Sequence, residues 1–527
     1  MVQYMDKNSG FNMWNANRAN DTRRSPLSGF LRWTLIFICA WWLIGVFTTP
    51  RTETTVATDA APVVDLSAVP TTNVSSDKIS ATVQGLRISD VNLTDFNVAP
   101  DTDENVVLLG QDDNFIEVGI LATGTSAPVA TTVWKSGDNN TFTWRNGDGV
   151  IFTRTIDTDG YLIRVIDTVE NRSKRDISIA PYVHIVRSND MNSASGIATG
   201  SIAYVNQDIE QVPWTTLAKK SYAYSTTHGF AGFADQYWET VAAIGMPDQT
   251  MRIKKSGDVY TADIAASAVP VTAGGGVFLE TDIFAGPRDQ TVLDAVDSSI
   301  PGIPGIAETV DYGWFWFLAR PMLWLLNAIH HVVMNYGVAI IIMTILLRLL
   351  MWPLTRKSYV SMAAMQKMQP EMQRIQKLYA NDKMRLQMEM MKLYQTHKTS
   401  PMSGCLPMLI QIPIFFALYK ALLVSVAMRN AHFLWISDLS AMDPYFILPI
   451  LMGATMFLQQ WLQSSGKKNK SGTTANDAVA QTQRMMRWMP ILFTIMFAWM
   501  PAGLVLYWTV SNIFGIIQMQ IIKHKSK

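Results

Sequence analysis

Apolar positions along this 527-residue chain follow two different rhythms. From about residue 79 to 300 they alternate with polar positions in period two, broken by turn residues. Examples are TFTWRNGDGVIFTRTIDTDGYLIRVIDTVEN (141–171), ISIAPYVHIVRS (177–188) and GGGVFLETDIFAGP (274–287). Successive side chains of a strand point to opposite faces, so this texture predicts many short strands, each with one buried face, in a large antiparallel sandwich over 79–310. Elsewhere the apolar residues form continuous runs. One is LRWTLIFICAWWLIGVF within 31–48, and the others lie beyond residue 313, at 336–352, 406–428, 444–461, about 488–500 and 503–522. Runs near 20 residues match the thickness of a bilayer core and predict spanning helices. Pro501-Ala502-Gly503 separates the last two and predicts a tight helical hairpin.

The run WFWFLARPMLWLLNAIHHVV (314–333) is interrupted by Arg320-Pro321 and has short, aromatic-rich arms. It reads as an amphipathic helix in the membrane interface, over 311–334. Parity supports this. With the first span running outward, the sandwich lies outside and 336–352 returns the chain inward. Residues 353–404, with nine Lys or Arg against three acids, then sit on the side where positive charge belongs. KKNK at 467–470, Arg484, Arg487 and the basic tail 523–527 fit the same side, giving six spans with both termini inside.

Charge sharpens the division. The net charge is +1, but residues 55–310 hold 32 of the 42 acidic and only 16 of the 43 basic side chains. That balance suits opposite faces of a membrane and gives no reason to expect a nucleic-acid partner. Residues 1–30 are polar, with an Arg23-Arg24 pair, and read as a cytoplasmic tail. No small-residue cleavage site follows 31–48, only TTPRTE, so that segment reads as an uncleaved signal anchor. Residues 49–78, rich in Thr, Ala, Val and Pro, read as a linker. Cys39 and Cys405 lie in or beside apolar runs and offer neither a disulfide framework nor zinc spacing. His184 and His228 belong to no motif. No cofactor, metal or catalytic constellation is expected.

Residues 356–398 predict an antiparallel helical hairpin turning near Asn381-Asp382. Met362, Met365, Met368 and Met372 share a face of its first arm, and Met384, Met388 and Met391 share one of the second. Flexible, polarizable Met side chains suit contact with varied apolar segments, though the two stripes could equally pack on each other. Arg348 stands inside IIIMTILLRLLMWPLT (340–355), eight residues or about 12 Å from Arg356. A charge in hydrocarbon costs about 3 kcal/mol or more. Thr344 shares its helix face. Gln411 in the next span and Asn512, beside Ser511 and Trp508 in the last, lie at similar depth. Together these side chains predict a hydrated recess, with bonding between helices as the alternative for Gln411 and Asn512.

The stretches YGVAIIIMTILLRLLMWPLT, GCLPMLIQIPIFFALYKAL, DPYFILPILMGATMFLQQ and MPAGLVLYWTVSNIFGIIQMQII, with the Met-rich hairpin in order between them, closely resemble the YidC family of membrane-protein insertases. The resemblance spans 312–522. It implies a polytopic α-helical membrane protein with six transmembrane helices. A five-helix insertase core over 335–522 would join a large periplasmic antiparallel β-sandwich in a bacterial inner membrane. It further implies a substrate groove open to cytoplasm and lipid, with Arg348, Thr344, Gln411, Trp508 and Asn512 along it, and the hairpin as docking surface for nascent membrane-protein segments. The implied partners are the Sec translocon, the ribosome, the signal recognition particle or its receptor, and the lipid bilayer.

Three features depart from the family pattern. Lys420 sits in the third span where no charge is expected, Trp508 stands where an aromatic hydroxyl is commoner, and the stretch before Met5 is long enough that Met5 could be the true start. A small-solute transporter is the main competing reading, but internal repeats and broken midplane helices are not seen. A membrane-anchored carbohydrate-binding protein would leave the C-terminal spans unexplained.

Overall fold

The computed structural model describes residues 65–525 except 101, 111–113, 189–198, 301, 380–381, 398–405 and 465–487. The N-terminal tail, the signal anchor at 31–48, most of the linker, Cys405 and the basic stretch 467–487 lie outside the described residues.

Two antiparallel sheets face each other. One has ten strands, running from Thr71–Ser75 at one edge through Ile79–Gln84, Arg87–Asn97, Phe115–Thr123, Ile177–Ser188, Val259–Ala266 and Gln249–Ser256 to Tyr222–Thr226. The other has nine, from Asp208–Pro213 through Trp238–Ile244, Gly276–Pro287 and Leu162–Asn171 to Lys135–Ser136. The period-two pattern is realised residue by residue. In Leu162–Asn171 the side chains of Ile163, Val165, Asp167, Val169 and Asn171 are buried, while those between them are half-buried. The sandwich begins earlier than the composition suggests. Thr71–Ser75 pairs with Ile79–Gln84 across a short turn, so the first strand falls inside the stretch read as linker. Its TTNVS sequence buries only Val74, which is why no alternation announces it.

Among the described residues the sandwich leads through a helix α1 (Gln290–Ser299), capped by the Asp289 carboxylate, and the turns Ile306–Thr309 and Gly313–Phe315 into the helical half. Helix α2 (Trp316–Val333) is continuous through Pro321, and Arg320-Pro321 does not break it. It buries Ala319, Met322, Leu323 and Leu326 on one face and exposes Trp316, Phe317 and Trp324 on the other. Its exposed face is therefore aromatic and its buried face apolar. Met334 in the left-handed region ends it, and the Asn335 side chain caps α3 (Tyr336–Leu350) by accepting from the Val338 N–H.

Pro353 lacks the N–H a helix interior needs. Helix α3 therefore stops, and α4 (Trp352–Leu378) starts across Met351 at a bend of 61°. Helix α5 (Lys383–Thr396), capped by Asp382, returns alongside α4 as the hairpin. Then come α6 (Leu406–Val424), α7 (Ile447–Ser464), α8 (Trp488–Phe497) and α9 (Ala502–Lys525). Among the described residues only α9 is long and apolar enough to cross a membrane unaided, with the bent α3 and α4 pair as a second; the apolar parts of α6, α7 and α8 are shorter.

Helix α6 ends at Val424 rather than 428 because Ser425 turns extended and Val426–Met428 forms a tight turn. Helix α7 begins at Ile447 because buried Asp443 takes the Leu448 N–H at 2.7 Å and the Trp435 indole N–H at 3.1 Å. The loop between α6 and α7 meets the sandwich. The Arg429 guanidinium donates to the carbonyls of Asn97 (2.7 Å) and Val98 (2.6 Å), and lies over the Trp238 ring.

Candidate functional site

Packing is tight where α3 and α9 begin. A Cβ on Gly337 would strike the Phe433 ring, and one on Gly503 would press Ile340 and the Leu439 carbonyl at 3.2 Å. Further along both helices the interior becomes polar. Arg348 extends from α3 to α9, where its Nε donates to Ser511 Oγ at 2.8 Å and an Nη donates to the same oxygen. Ser511 also bonds the Tyr507 hydroxyl, which accepts from the Gln411 side chain of α6. One relay therefore joins three helices in the order Arg348, Ser511, Tyr507, Gln411. It continues along α9, where the Gln518 amide donates to the Arg348 carbonyl at 3.3 Å and the Tyr359 hydroxyl reaches the Gly515 carbonyl at 3.5 Å. No carboxylate lies within ion-pair distance of Arg348 among the described residues.

Tyr507, Ser511 and Gln518 follow at intervals of four and seven, one face of α9 turned toward Arg348. Sequence reasoning passed over Tyr507 and Gln518 because each lies in an apolar run that gives no sign of which face meets a partner. Their helical spacing from Ser511 was the available signal. Trp508, one residue round the helix, is half-buried in an aromatic cluster, with Phe415 at 5.2 Å, Phe497 at 5.2 Å and Phe493 at 6.1 Å between ring centroids. Its role in packing α6, α8 and α9 does not need a hydroxyl.

Besides Trp508, two more expected members stand apart from the relay. Thr344 is fully buried and its hydroxyl donates to the Ile340 carbonyl one turn back, at 2.6 Å. Asn512 is buried and turned to α7, with the Met452 carbonyl at 3.5 Å and Thr455 Oγ1 at 3.4 Å. Asn512 and Gln411 thus both bond between helices, the alternative open to each of them, but only Gln411 does so within the relay. Equal depth did not place the two on the relay, because depth fixes position along a helix but not rotation around it.

The hairpin resolves its two stripes differently. Met368 is buried, Met365 and Met372 are half-buried, and the Met362 side chain lies outside the described residues. Met384, Met388 and Met391 are all exposed on α5, so they do not form a buried seam, while Leu393 of the same helix is buried. Lys420, the unexpected charge of α6, lies one helical turn from the end of that helix and pairs with Asp311 at 2.7 Å.

A family model described as "60Kd inner membrane protein" matches residues 328–527, and one described as "YidC periplasmic domain" matches 71–325, from the first residue of the first strand. Curated relatives carry the name "Membrane protein insertase YidC". The one from Magnetococcus marinus is 39% identical over 375 residues, 69% of this chain and 64% of that one. The one from Methylobacillus flagellatus is 37% identical over 380 residues, 71% and 66%. That from Sinorhizobium fredii is 33% identical over 490 residues, 84% of this chain and 80% of the relative. The matched stretch spans under two thirds of the Magnetococcus and Methylobacillus proteins.

Proposed function

The chain belongs to the YidC family of membrane-protein insertases, and on that premise we propose that it inserts nascent membrane proteins by drawing their short hydrophilic tails to Arg348. The observation that carries this reading is a core arginine whose guanidinium, among the described residues, is held by the Ser511 hydroxyl and faces no carboxylate. A half-buried guanidinium with no counter-ion among the described residues keeps its attraction for an incoming carboxylate, about 4 kcal/mol at 4 Å for an effective dielectric near 20. A polar relay through Ser511, Tyr507 and Gln411 offers partners to backbone groups that would each cost several kcal/mol unpaired in hydrocarbon. The client's apolar segment would pass along exposed side chains of α7 and α8, among them Leu451, Phe457, Ile491 and Ile495, into lipid. No covalent step is involved.

In this reading six helices span the bacterial inner membrane, both termini are cytoplasmic, the sandwich is periplasmic and the exposed aromatic face of α2 rests in the interface. The exposed Met384, Met388 and Met391 would receive arriving segments beside the ribosome and signal recognition particle, with the Sec translocon as a further partner. The test is reconstitution of the purified chain alone in proteoliposomes with a single-span client bearing a short acidic tail. Protease protection of that tail well above empty liposomes is expected. Background protection by folded, correctly oriented protein would reject autonomous insertion.

A further inference from the structure

Helix α6 is apolar on every side. In LPMLIQIPIFFALYKALLV only Gln411, Tyr419 and Lys420 carry polar side-chain atoms. An apolar helix among apolar neighbours and lipid gains little from any one rotation about its axis, so its few polar anchors must set it. Gln411 and Lys420 are nine residues apart, which at 3.6 residues per turn places them on opposite sides of the helix. Gln411 bonds Tyr507 in the relay. Lys420 bonds Asp311 at 2.7 Å, in the short segment that carries the chain from the sandwich into α2.

That segment is shaped for the contact. One Asp311 oxygen accepts the Gly313 N–H at 2.7 Å, leaving the other to the ammonium. Burial pushes the Asp311 carboxyl up, but Lys420 and the Gly313 N–H outweigh it and hold the carboxyl below its usual range. Gly313 adopts a left-handed φ of 66°, and the Lys420 stem passes 3.4 Å from where a Cβ would stand. Phe315 stacks on Phe416 of α6 with centroids 6.4 Å apart and planes 13° from parallel. The Gln236 amide of the sandwich also donates to the Leu423 carbonyl at 3.0 Å.

We infer that Asp311 and Lys420 are positioning residues for insertion: their ion pair fixes the rotation of α6 from the sandwich junction, and so aims Gln411 and Phe415 at Tyr507 and Trp508. This rests on the insertase reading for its activity readout but not for its geometric one. Gln411 and Phe415 lie four residues apart and turn together, so a small rotation of α6 would draw both away from α9.

The experiment uses the full chain in proteoliposomes, with Lys420→Met, Asp311→Asn, Lys420→Arg and the exchanged pair Asp311→Lys/Lys420→Asp. Each is scored for protection of the acidic client tail and, in a Phe415→Cys/Phe497→Cys background, for the yield of the disulfide between α6 and α8. Lys420→Met and Asp311→Asn are expected to lower both readouts severalfold with thermal unfolding unchanged. Lys420→Arg, which keeps the pair, should hold both near the parent, and the exchanged pair should recover most of each. Parental disulfide yield in Lys420→Met would overturn the proposal, as would equal losses in Lys420→Met and Lys420→Arg. If the parent inserts nothing, the insertase reading fails while the disulfide comparison still judges the strut.

Discussion

The sandwich holds a buried arginine and the helical core a half-buried one, and they treat it in opposite ways. Arg154, inside the sandwich and 2% exposed, meets Asp167 with two parallel bonds of 2.8 Å from Nε and Nη2. The two residues face each other across neighbouring strands, and Trp134 lies beside the guanidinium. Arg348 meets the Ser511 hydroxyl and, among the described residues, no carboxylate. A paired charge completes a structure, because its field is spent on a fixed partner. A charge left to hydroxyls keeps its field for something that arrives. Glu239 and Arg288 fall between the two. Glu239 is fully buried, its nearest approach to Arg288 is 3.3 Å, and burial outweighs that neighbour and pushes its carboxyl up to about 7.

The comparison breaks most sharply at Arg154. Asp167→Ala leaves a buried guanidinium uncompensated and should destabilise the sandwich by about 3–5 kcal/mol, whereas Arg154→Met/Asp167→Leu should cost far less. Denaturant unfolding followed by far-UV circular dichroism would check both. Equal losses would mean that shape rather than charge decides.

Glu239 gives the next largest effect. Its folded pKa lies above the ordinary carboxyl value, so the folded chain binds the extra proton. The stability this contributes is complete below about 4.5 and is lost as pH rises through about 7. Unfolding free energy should therefore fall by an amount on the order of a few kcal/mol across that window. Glu239→Gln should flatten the slope. A parent whose stability is level from pH 4.5 to 7 would contradict the assignment.

At Arg348 the expected losses are functional. Arg348→Ala should reduce insertion of acidic-tailed clients by about tenfold, equivalent to about 1.4 kcal/mol, with a much smaller loss for neutral tails. Arg348→Lys should keep most activity. Thermal unfolding of Arg348→Met should stay level or rise, since no ion pair is broken. Equal loss for both tail types would leave Arg348 a structural role only.

The smallest effect is the most pointed. Ser511→Asp would give Arg348 the fixed counter-ion that Arg154 already has. Protection of acidic tails should then fall about threefold or more, as the field is satisfied internally, with folding intact. Unchanged insertion would separate the arginine's charge from its use.

Much of this was legible in the chain itself. Alternation announced the sandwich strands wherever one face was apolar, as in Leu162–Asn171, and failed at Thr71–Ser75, where only Val74 is buried. Continuous apolar runs placed α3, α6, α7 and α9 to within a few residues, and Met spacing drew the hairpin faces. The lone Arg348 was conspicuous because charge is costly in such a run.

What the sequence determined alone was local: which segments are strands or helices, which face of each is apolar, and how deep a polar residue lies. What only the tertiary structure decided was the partner of each polar group. Thr344 turned back on its own helix, Asn512 turned to α7, and Lys420 found Asp311. Arg348 and Ser511 are 163 residues apart, and Gln411 and Tyr507 are 96. Periodicity reports the burial of a face because neighbours three or four residues away share it. It carries no information about which distant helix, in which rotation, is packed against that face.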